Sequence, residues 1–300
     1  MEDVVAMPMH GATLGRDRRV HDFDMSAATM IPDRTATIGD PHAPGDGGSQ
    51  TGSVDKSGDR VRGMFAEIAP RYDLANRLLS GGIDVLWRRT TVRRAPPPAH
   101  GGILDVCCGT GDLALAYAAK ASPGVRIVAS DFCVPMLKVG EDKGARAGRS
   151  IEWVEADAMA LPFANAEFDL VTVAFGLRNI ADTARGLAEM ARVTKPGGRI
   201  AILEFSLPRS ALIRRGYLWY FRNVLPRLGN AVARNGSDAY TYLNQSVEEF
   251  PSGERLAALV RQAGYERIEM VPLTLGIATL TIATRDTSVA DSGTRGGCDA

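Results

Sequence analysis

The sequence predicts an α/β fold: a doubly wound, mostly parallel sheet of seven strands that ends in an antiparallel hairpin. Three observations predict it. A strand, a tight glycine turn and a helix follow one another over 103–121. Apolar runs then alternate with helical segments as far as residue 206, the pattern of a parallel sheet. The last two runs, 265–274 and 276–284, are one residue apart, and so short a link joins only antiparallel neighbours.

The composition is that of a soluble globular protein. Hydrophobic residues make up 45% of the 300 residues, charged residues make up 23%, and the formal net charge is zero. A neutral chain argues against general nucleic-acid binding. No apolar run approaches the roughly 18 residues that span a bilayer, and the four cysteines lack metal or disulfide spacing. We therefore expect a cytoplasmic protein without a metal site or a nucleic-acid partner.

Three regions are predicted along the chain. Residues 1–58 are rich in Gly, Asp, Ser, Thr and Pro and have no sustained periodicity, so a disordered N-terminal tail is expected. One domain follows over 59–285. Residues 286–300 are expected to form a second disordered tail.

The domain is predicted to begin with a helical cap over 61–95, before the first strand. Val61, Phe65 and Ile68 recur at helical spacing. The cap also carries Tyr72 within a cluster of aromatic, acidic and amide side chains. Two interpretations stay open: a lid over a ligand, or a plain cap packed on the sheet.

The glycine turn after the first strand is the predicted centre of the site. Residues 103–112 are Ile-Leu-Asp-Val-Cys-Cys-Gly-Thr-Gly-Asp, and a turn with Gly109 and Gly111 holds a nucleotide-like ligand in doubly wound folds. NAD and S-adenosylmethionine both satisfy that pattern. Asp105 discriminates between them, because a carboxylate repels a pyrophosphate and attracts an ammonium or sulfonium group. At about 4 Å this difference is about 1–4 kcal/mol, which favours S-adenosylmethionine.

Two further acids are predicted at the same edge of the sheet. Asp131 ends the second strand, where a carboxylate can bind ribose hydroxyls. Asp157 follows the third strand and could accept a hydrogen bond from the adenine amino group; the alternative is a solvated turn residue or helix cap. Together with Asp105, these acids end three successive strands and predict a cradle for the cofactor.

The fourth strand, 168–175, is almost continuously apolar, as expected for a strand covered on both faces. Arg178 and Asn179 follow it and are predicted to stand over the cofactor edge, where a substrate would lie. The alternative is a structural Arg178 paired with a carboxylate.

An insertion over about 207–250 differs from the rest of the chain. Within it, residues 207–234 contain six arginines and no acid, among many aromatic and aliphatic residues. Such a stretch suits an anionic membrane surface or the approach path of a hydrophobic substrate. The alternative is an ordinary packing helix with solvated arginines.

Two longer stretches resemble the signatures of a known family. Residues 192–206 are Arg-Val-Thr-Lys-Pro-Gly-Gly-Arg-Ile-Ala-Ile-Leu-Glu-Phe-Ser, and the N-terminal signature is followed at Tyr72, Asp73, Asn76, Leu79, Ser80 and Trp87. Over about 61–285 the chain is similar to the quinone-biosynthesis C-methyltransferases, the demethylmenaquinone and ubiquinone methyltransferase family. Three positions depart from it: Ala75, Asp84 and Ala174 stand where the family usually has Met, His and Ser.

The resemblance implies the class I, Rossmann-like fold of S-adenosylmethionine-dependent methyltransferases, with S-adenosylmethionine bound by Thr110, Asp131, Asp157 and Ala158. It implies C-methylation of a polyprenylated quinol, above all of demethylmenaquinol to menaquinol. The alternatives are a benzoquinol, another lipid or small molecule, and a non-catalytic cofactor-binding subunit of a quinone-biosynthesis assembly. The expected location is the cytoplasm, with peripheral contact at the inner face of the membrane through 207–234.

The implied reaction requires a ring hydroxyl to lose its proton, so that the phenolate makes the ring carbon nucleophilic. Arg178 and Asn179 are the candidates for holding the developing oxyanion. Tyr72 is expected to orient the ring or relay the proton. The base is either Asp84 or a water ordered by Arg178 and Asn179.

Overall fold

The computed structural model describes residues 58–208, 210–223 and 237–287. Almost all of the two predicted tails therefore lies outside the described residues, as do Arg209, Arg227 and Arg234 of the basic stretch.

The described elements alternate in the way the sequence predicts. The helices are α1 (Gly58–Ile68), α2 (Tyr72–Ser80), α3 (Ile83–Arg94), α4 (Asp112–Ala118), α5 (Val134–Arg146), α6 (Thr183–Val193), α7 (Ala211–Asn223), α8 (Ser237–Glu249) and α9 (Glu254–Gln262). The strands are β1 (Gly102–Val106), β2 (Arg126–Asp131), β3 (Glu152–Glu155), β4 (Phe168–Ala174), β5 (Thr194–Phe205), β6 (Tyr265–Leu273) and β7 (Ala278–Arg285).

The seven strands form one sheet in the order β3-β2-β1-β4-β5-β7-β6. Strands β1 to β5 pair in parallel, and β7 is antiparallel to both β5 and β6. The doubly wound sheet with a C-terminal hairpin is thus confirmed. The strand order reverses direction between β1 and β4, which opens a crevice at the carboxyl ends of these strands.

Both faces of the sheet are buried, because successive residues of each central strand enter different cores. Leu104, Val171 and Ile200 pack in one hydrophobic cluster with α6 and α9, while Ile103 and Leu170 pack in the other with α3 and α4. Full burial on both faces explains the continuous apolar runs in the sequence. It also fixes the strand ends from which the site is built.

Strand β5 begins at Thr194, before its Pro-Gly-Gly stretch. Thr194 already pairs with Phe168, and the register then moves to Leu170 opposite Arg199. The extra residues of β5 bulge out between these two pairs, and Lys195 within the bulge pairs with Asp169 at 2.8 Å. The Pro-Gly-Gly stretch therefore interrupts a strand rather than preceding it.

The helical cap formed by α1, α2 and α3 packs on the domain at two places. Ala69 joins Cys133 and Met136 in a small core at the start of α5. Trp87 of α3 is buried against the sheet, and its indole N–H donates to Thr274 Oγ1 at 2.8 Å. These contacts support the interpretation as a packed cap, and the cavities described below show that the same helices also cover the site.

Candidate active site

The glycine turn between β1 and α4 has a left-handed backbone. The φ angles of Cys107, Gly109 and Gly111 are 52°, 56° and 77°, and glycine adopts such angles without strain. A Cβ at Gly111 would lie 2.3 Å from the Trp153 ring, whereas at Gly109 the nearest atom would be in the Tyr72 ring at 3.9 Å. Close packing of Trp153, rather than the approach of a ligand, requires glycine at position 111.

A first cavity, here called the loop cavity, lies at the carboxyl ends of β1 to β4. Its volume is about 120 Å³. Its walls include all but one of the predicted cofactor-binding residues: Asp105, Gly109, Thr110, Asp131, Asp157 and Ala158. The exception is Gly111. The structure therefore brings the three strand-end acids together, as the sequence predicts.

Asp105 is the most deeply buried of these acids. One carboxylate oxygen accepts a hydrogen bond from the Thr172 hydroxyl at 2.7 Å, and the other oxygen is buried without a partner among the described residues. Burial raises the pKa of Asp105 to about 7, although the bond from Thr172 opposes the shift. A buried carboxylate oxygen without a partner is unfavourable unless a cationic group binds beside it.

Asp131 organises the turn as well as lining the cavity. Its carboxylate accepts hydrogen bonds from the backbone N–H of Gly109 at 2.8 Å and of Cys133 at 2.9 Å. Burial raises its pKa, and these backbone bonds oppose the rise. Asp157 is exposed instead, and its carboxylate accepts from the Met159 N–H at 2.8 Å. The turn-residue role considered for Asp157 is therefore present, and the residue still lines the cavity.

Sequence reasoning missed a polar cluster that joins the cap to the glycine turn. The Thr110 hydroxyl donates to Asp73 of α2 at 2.5 Å, and Lys143 of α5 donates to the other oxygen of Asp73 at 2.6 Å. Lys143 also pairs with Asp112. Burial alone would raise the pKa of Asp112, but the charges of Lys143 and Arg88 lower it. The partners in each of these bonds lie 31 or more positions apart in the chain, so no local motif reveals the cluster.

A second cavity, here called the cap cavity, lies beneath the cap helices and is also bordered by α7 and α8. It is larger, about 400 Å³. Its walls are mostly aromatic and aliphatic and include Ile68, Ile83, Trp87, Phe205, Tyr217 and Leu243. Four residues line both cavities, and they are Phe65, Tyr72, Arg88 and Phe175. The two cavities therefore adjoin at this set of side chains.

The structure separates Arg178 from Asn179. Arg178 lines the cap cavity and Asn179 the loop cavity. The Arg178 guanidinium is buried, forms an ion pair with Glu204 at 3.2 Å and donates to the Phe175 carbonyl. The carboxylate pairing considered for Arg178 is thus present. Arg178 Nε and Asn179 Oδ1 are buried and have no hydrogen-bond partner within the part of the chain that the structure describes.

Tyr72 and Asp84 both line the cap cavity. Burial raises the pKa of Tyr72, against the opposing effects of Asn76, Arg178 and Arg88, so its hydroxyl stays protonated at neutral pH and can donate a hydrogen bond. Asp84 is buried, and its carboxylate accepts from the Ser80 hydroxyl at 2.8 Å and from Arg88 at 2.6 Å. The sequence signal for Arg88 was available: an acid and an arginine four residues apart on one helix.

Within 58–208, 210–223 and 237–287, neither the histidine nor the cysteines supply the chemistry of these cavities. His100 is exposed and lines neither of them. Burial raises the pKa values of Cys107 and Cys108 well above the usual value, so both thiols are neutral and weak nucleophiles. Their small side chains fit the packed turn, as the sequence suggests.

Comparison with known proteins agrees with this geometry. The model of the ubiE/COQ5 methyltransferase family matches residues 53–285. The chain belongs to the ubiE/COQ5 methyltransferase family. The ubiquinone/menaquinone biosynthesis C-methyltransferase UbiE of Geobacter sulfurreducens is 48% identical over 228 residues, covering 75% of this chain and 88% of that protein. The demethylmenaquinone methyltransferase of Thermus thermophilus is 47% identical over 223 residues, covering 74% of this chain and 100% of that protein.

Similarity to solved structures bears on the fold. A SAM-dependent methyltransferase from Aquifex aeolicus matches with a TM-score of 0.50 at 16% identity, covering 66% of this chain and 89% of that chain. The family match and the two relatives confirm the resemblance stated from the sequence, and with it the assignment of the chain as a methyltransferase enzyme of the ubiE/COQ5 family. None of the described helices is both long and apolar enough to cross a bilayer.

Proposed function

We propose that this ubiE/COQ5 family member transfers a methyl group from S-adenosylmethionine to a ring carbon of a polyprenylated quinol, converting demethylmenaquinol to menaquinol. The observation that carries the proposal is the pair of adjoining cavities, one lined by strand-end carboxylates and one by aromatic and aliphatic side chains. The names of the relatives from Geobacter and Thermus support a quinol ring as the acceptor.

The loop cavity fits the methyl donor. When bound, S-adenosylmethionine supplies an electrophilic methyl group on a positively charged sulfur. The unpartnered oxygen of Asp105 suits the donor's cationic end, because a buried carboxylate gains most from a positive charge. Asp131 would bind the ribose hydroxyls, with Asp157 and Ala158 at the adenine.

The cap cavity would hold the quinol ring and the start of its prenyl chain. Alignment of the ring carbon with the methyl group is the larger catalytic effect, since effective molarities supply up to about 7–11 kcal/mol. Tyr72 lies where the cavities meet and would donate a hydrogen bond to a ring oxygen. Arg178, with its free Nε, would hold the quinol oxygen farther from the donor, and Asn179 would act from the donor side.

The proton of the reacting hydroxyl needs an acceptor within reach of the cap cavity. Asp84 is the carboxylate that lines this cavity among the described residues. A water ordered by Arg178 and Asn179 is the alternative acceptor. The separation of these two side chains between the cavities favours Asp84.

Helix α7 would bring the enzyme to its membrane-embedded substrate. One face of the helix carries Tyr217, which is buried and lines the cap cavity, while Leu212 and Trp219 are 81% and 63% exposed. Arg214 and Arg215 are exposed between them. Apolar anchors beside arginines suit an anionic lipid surface. Trp219→Ser should therefore weaken binding to anionic vesicles in a flotation assay, with little change in binding to neutral vesicles.

Methyl transfer itself is tested with purified protein and labelled S-adenosylmethionine. We expect transfer to demethylmenaquinol and far less to the corresponding benzoquinol. Labelled product from the benzoquinol alone would move the acceptor to the ubiquinone pathway. Calorimetric donor binding without turnover of either quinol would indicate a non-catalytic subunit.

Arg178→Ala tests the acceptor role of this residue. Turnover should fall far more than the affinity for S-adenosylhomocysteine, and Arg255→Ala, at an exposed position on α9, should change neither. A collapse of donor binding in Arg178→Ala would make Arg178 a structural residue of the loop that follows β4.

A further inference from the structure

We propose that Arg88 is a catalytic residue that stabilises the phenolate of the acceptor, and that it does so by exchanging Asp84 for the phenolate as its ionic partner. This inference rests on the proposed methyl transfer. It assigns a role to a side chain that belongs to neither the glycine turn nor the strand-end acids.

Position is the first argument for Arg88. The ionised oxygen is bonded to the carbon next to the one that is methylated, so it must lie beside the point where donor and acceptor meet. Of the four described residues that line both cavities, Arg88 is the one with a formal charge. Its charge also opposes the rise that burial causes in the pKa of Asp105 on the donor side, so its field reaches into the loop cavity.

Comparison with the other arginine of the cap cavity strengthens the argument. Arg178 is buried against Glu204 and the Phe175 carbonyl and lines the cap cavity alone. Its charge is compensated by Glu204, which lines neither cavity. Arg178 can therefore hold the distal quinol oxygen, while Arg88 is placed for the oxygen that ionises.

The exchange of partners begins from the ion pair between Arg88 and Asp84. Arg88 Nη1 lies 2.6 Å from Asp84 Oδ2, and the two side chains are 11% and 6% exposed. Stacking of the guanidinium over the Phe175 ring, at 5.6 Å, holds its plane in place. When Asp84 takes the hydroxyl proton, the carboxylate becomes neutral and the charge of Arg88 is left for the new phenolate. The buried charges stay balanced throughout, which is what a site of low dielectric requires.

The proton and electron balance is complete with the groups named. The acceptor O–H bond breaks and an O–H bond to Asp84 forms. The ring carbon then gains the methyl group, and the sulfur keeps the electron pair of the broken bond. Finally the ring carbon loses its own proton to water, and the oxygen regains the proton held by Asp84. One proton is released in each turnover.

Arg88→Met and Arg88→Lys test the role by kinetics. In Arg88→Met, kcat with demethylmenaquinol should fall by about 10²–10³-fold, and KM should change much less. Arg88→Lys should recover part of the loss, because it keeps the charge without the planar fork. Arg89→Met, at the neighbouring exposed position, is the matched control. The double variant Asp84→Asn/Arg88→Met leaves no unpaired buried charge, so it should fold and remain as slow as Arg88→Met.

A spectroscopic measurement tests the charge directly, without turnover. A short-chain prenylated 1-naphthol is titrated by absorbance while bound to the complex with S-adenosylhomocysteine. Arg88 should lower the pKa of the bound naphthol by about 1–3 relative to Arg88→Met. An equal pKa in both proteins, or a kcat of Arg88→Met like that of Arg89→Met, would overturn the inference. Absence of turnover in the unmutated protein would instead overturn the proposed methyl transfer.

Discussion

The loop cavity and the cap cavity hold their charges in different ways. In the loop cavity, Asp105 is buried with one oxygen unpartnered, and none of the described cationic side chains forms an ion pair with it. In the cap cavity, each of the two arginines is paired with a carboxylate: Arg88 with Asp84, and Arg178 with Glu204. The loop cavity therefore has an uncompensated carboxylate until a cationic ligand binds. In the cap cavity the charges are compensated until a proton is transferred.

This difference separates binding from catalysis. A site that lacks a counter-charge gains affinity for a cationic ligand as soon as that ligand binds. A site whose charges are already paired gains little charge–charge energy from a neutral quinol in the ground state. It interacts more strongly only when the ring ionises, and interactions of that kind accelerate the reaction. Substitutions in the loop cavity should therefore change donor affinity, and those in the cap cavity should change turnover.

The largest expected effect on affinity is at Asp131. In Asp131→Ala, donor affinity should fall by about 3 kcal/mol, at least a hundredfold in Kd, because hydrogen bonds to a charged acceptor are lost. Part of the loss arises in the glycine turn, whose Gly109 N–H bonds to Asp131. Calorimetry with S-adenosylhomocysteine measures it, and Asp142→Ala, an exposed acid on α5, is the control. Unchanged affinity would remove Asp131 from the donor site.

The next effect separates the two glycines of the turn between β1 and α4 by their contribution to stability. Both have positive φ, but a Cβ would collide with Trp153 only at Gly111. Gly109→Ala should cost about 1–2 kcal/mol of backbone strain, and Gly111→Ala should cost more. Thermal unfolding of the two variants measures the difference. In a Trp153→Leu background the difference in stability should be smaller, because the obstructing ring is gone. An equal loss of stability in Gly109→Ala and Gly111→Ala would contradict the proposed collision with Trp153.

The sequence predicted the loop cavity far better than the cap cavity, for a physical reason. Asp105, Asp131 and Asp157 end neighbouring parallel strands, so the hydrophobic pattern that locates each strand also locates each acid. The glycine turn follows from the same pattern. The fold class and the C-terminal hairpin could be derived in the same way.

The cap and its cavity depend on contacts between side chains that are far apart in the chain, so no local sequence pattern predicts these contacts. Asp73 contacts Thr110 and Lys143 across 37 and 70 positions of the chain, and Glu204 reaches Arg178 across 26. The side-chain separation of Arg178 and Asn179 also escaped prediction. A short 3-10 turn over Leu177–Asn179 directs adjacent residues to different cavities.

A smaller effect is expected from pH. The pKa of Asp105 is about 7 in the free protein because of burial, and a bound cation favours the ionised form. Donor affinity should therefore rise about tenfold between pH 6 and pH 8, until the donor's own ammonium group begins to lose its proton at about pH 7.7–8.0. Asp105→Asn should bind more weakly and lose this rise. A pH dependence that survives in Asp105→Asn would assign it to another group.

Asp105 should also make the free energy of unfolding depend on pH, but with the opposite sign: stability falls where donor affinity rises. An acid whose pKa is raised by folding, here from 3.8 to about 7, stabilises the fold least when it is ionised. Its contribution to the free energy of unfolding therefore falls as pH rises through that interval. At pH 8 Asp105→Asn should unfold at a higher temperature than the parent, by several degrees. A lower unfolding temperature would mean that the carboxylate is already compensated in the free protein.

The smallest effect tests the connection between the two cavities. Lys143 bridges Asp73 of the cap and Asp112 of α4, and its side chain is 21% exposed, so solvent weakens these ion pairs. Lys143→Met should lower donor affinity by about 1 kcal/mol, roughly fivefold. Turnover should fall as well, because Tyr72 adjoins Asp73 and stands where the cavities meet. Lys138→Met, on the exposed side of the same helix, should leave both quantities unchanged. If the two variants behaved alike, the cap would be held over the glycine turn by apolar packing alone, and the donor site would form independently of the acceptor site.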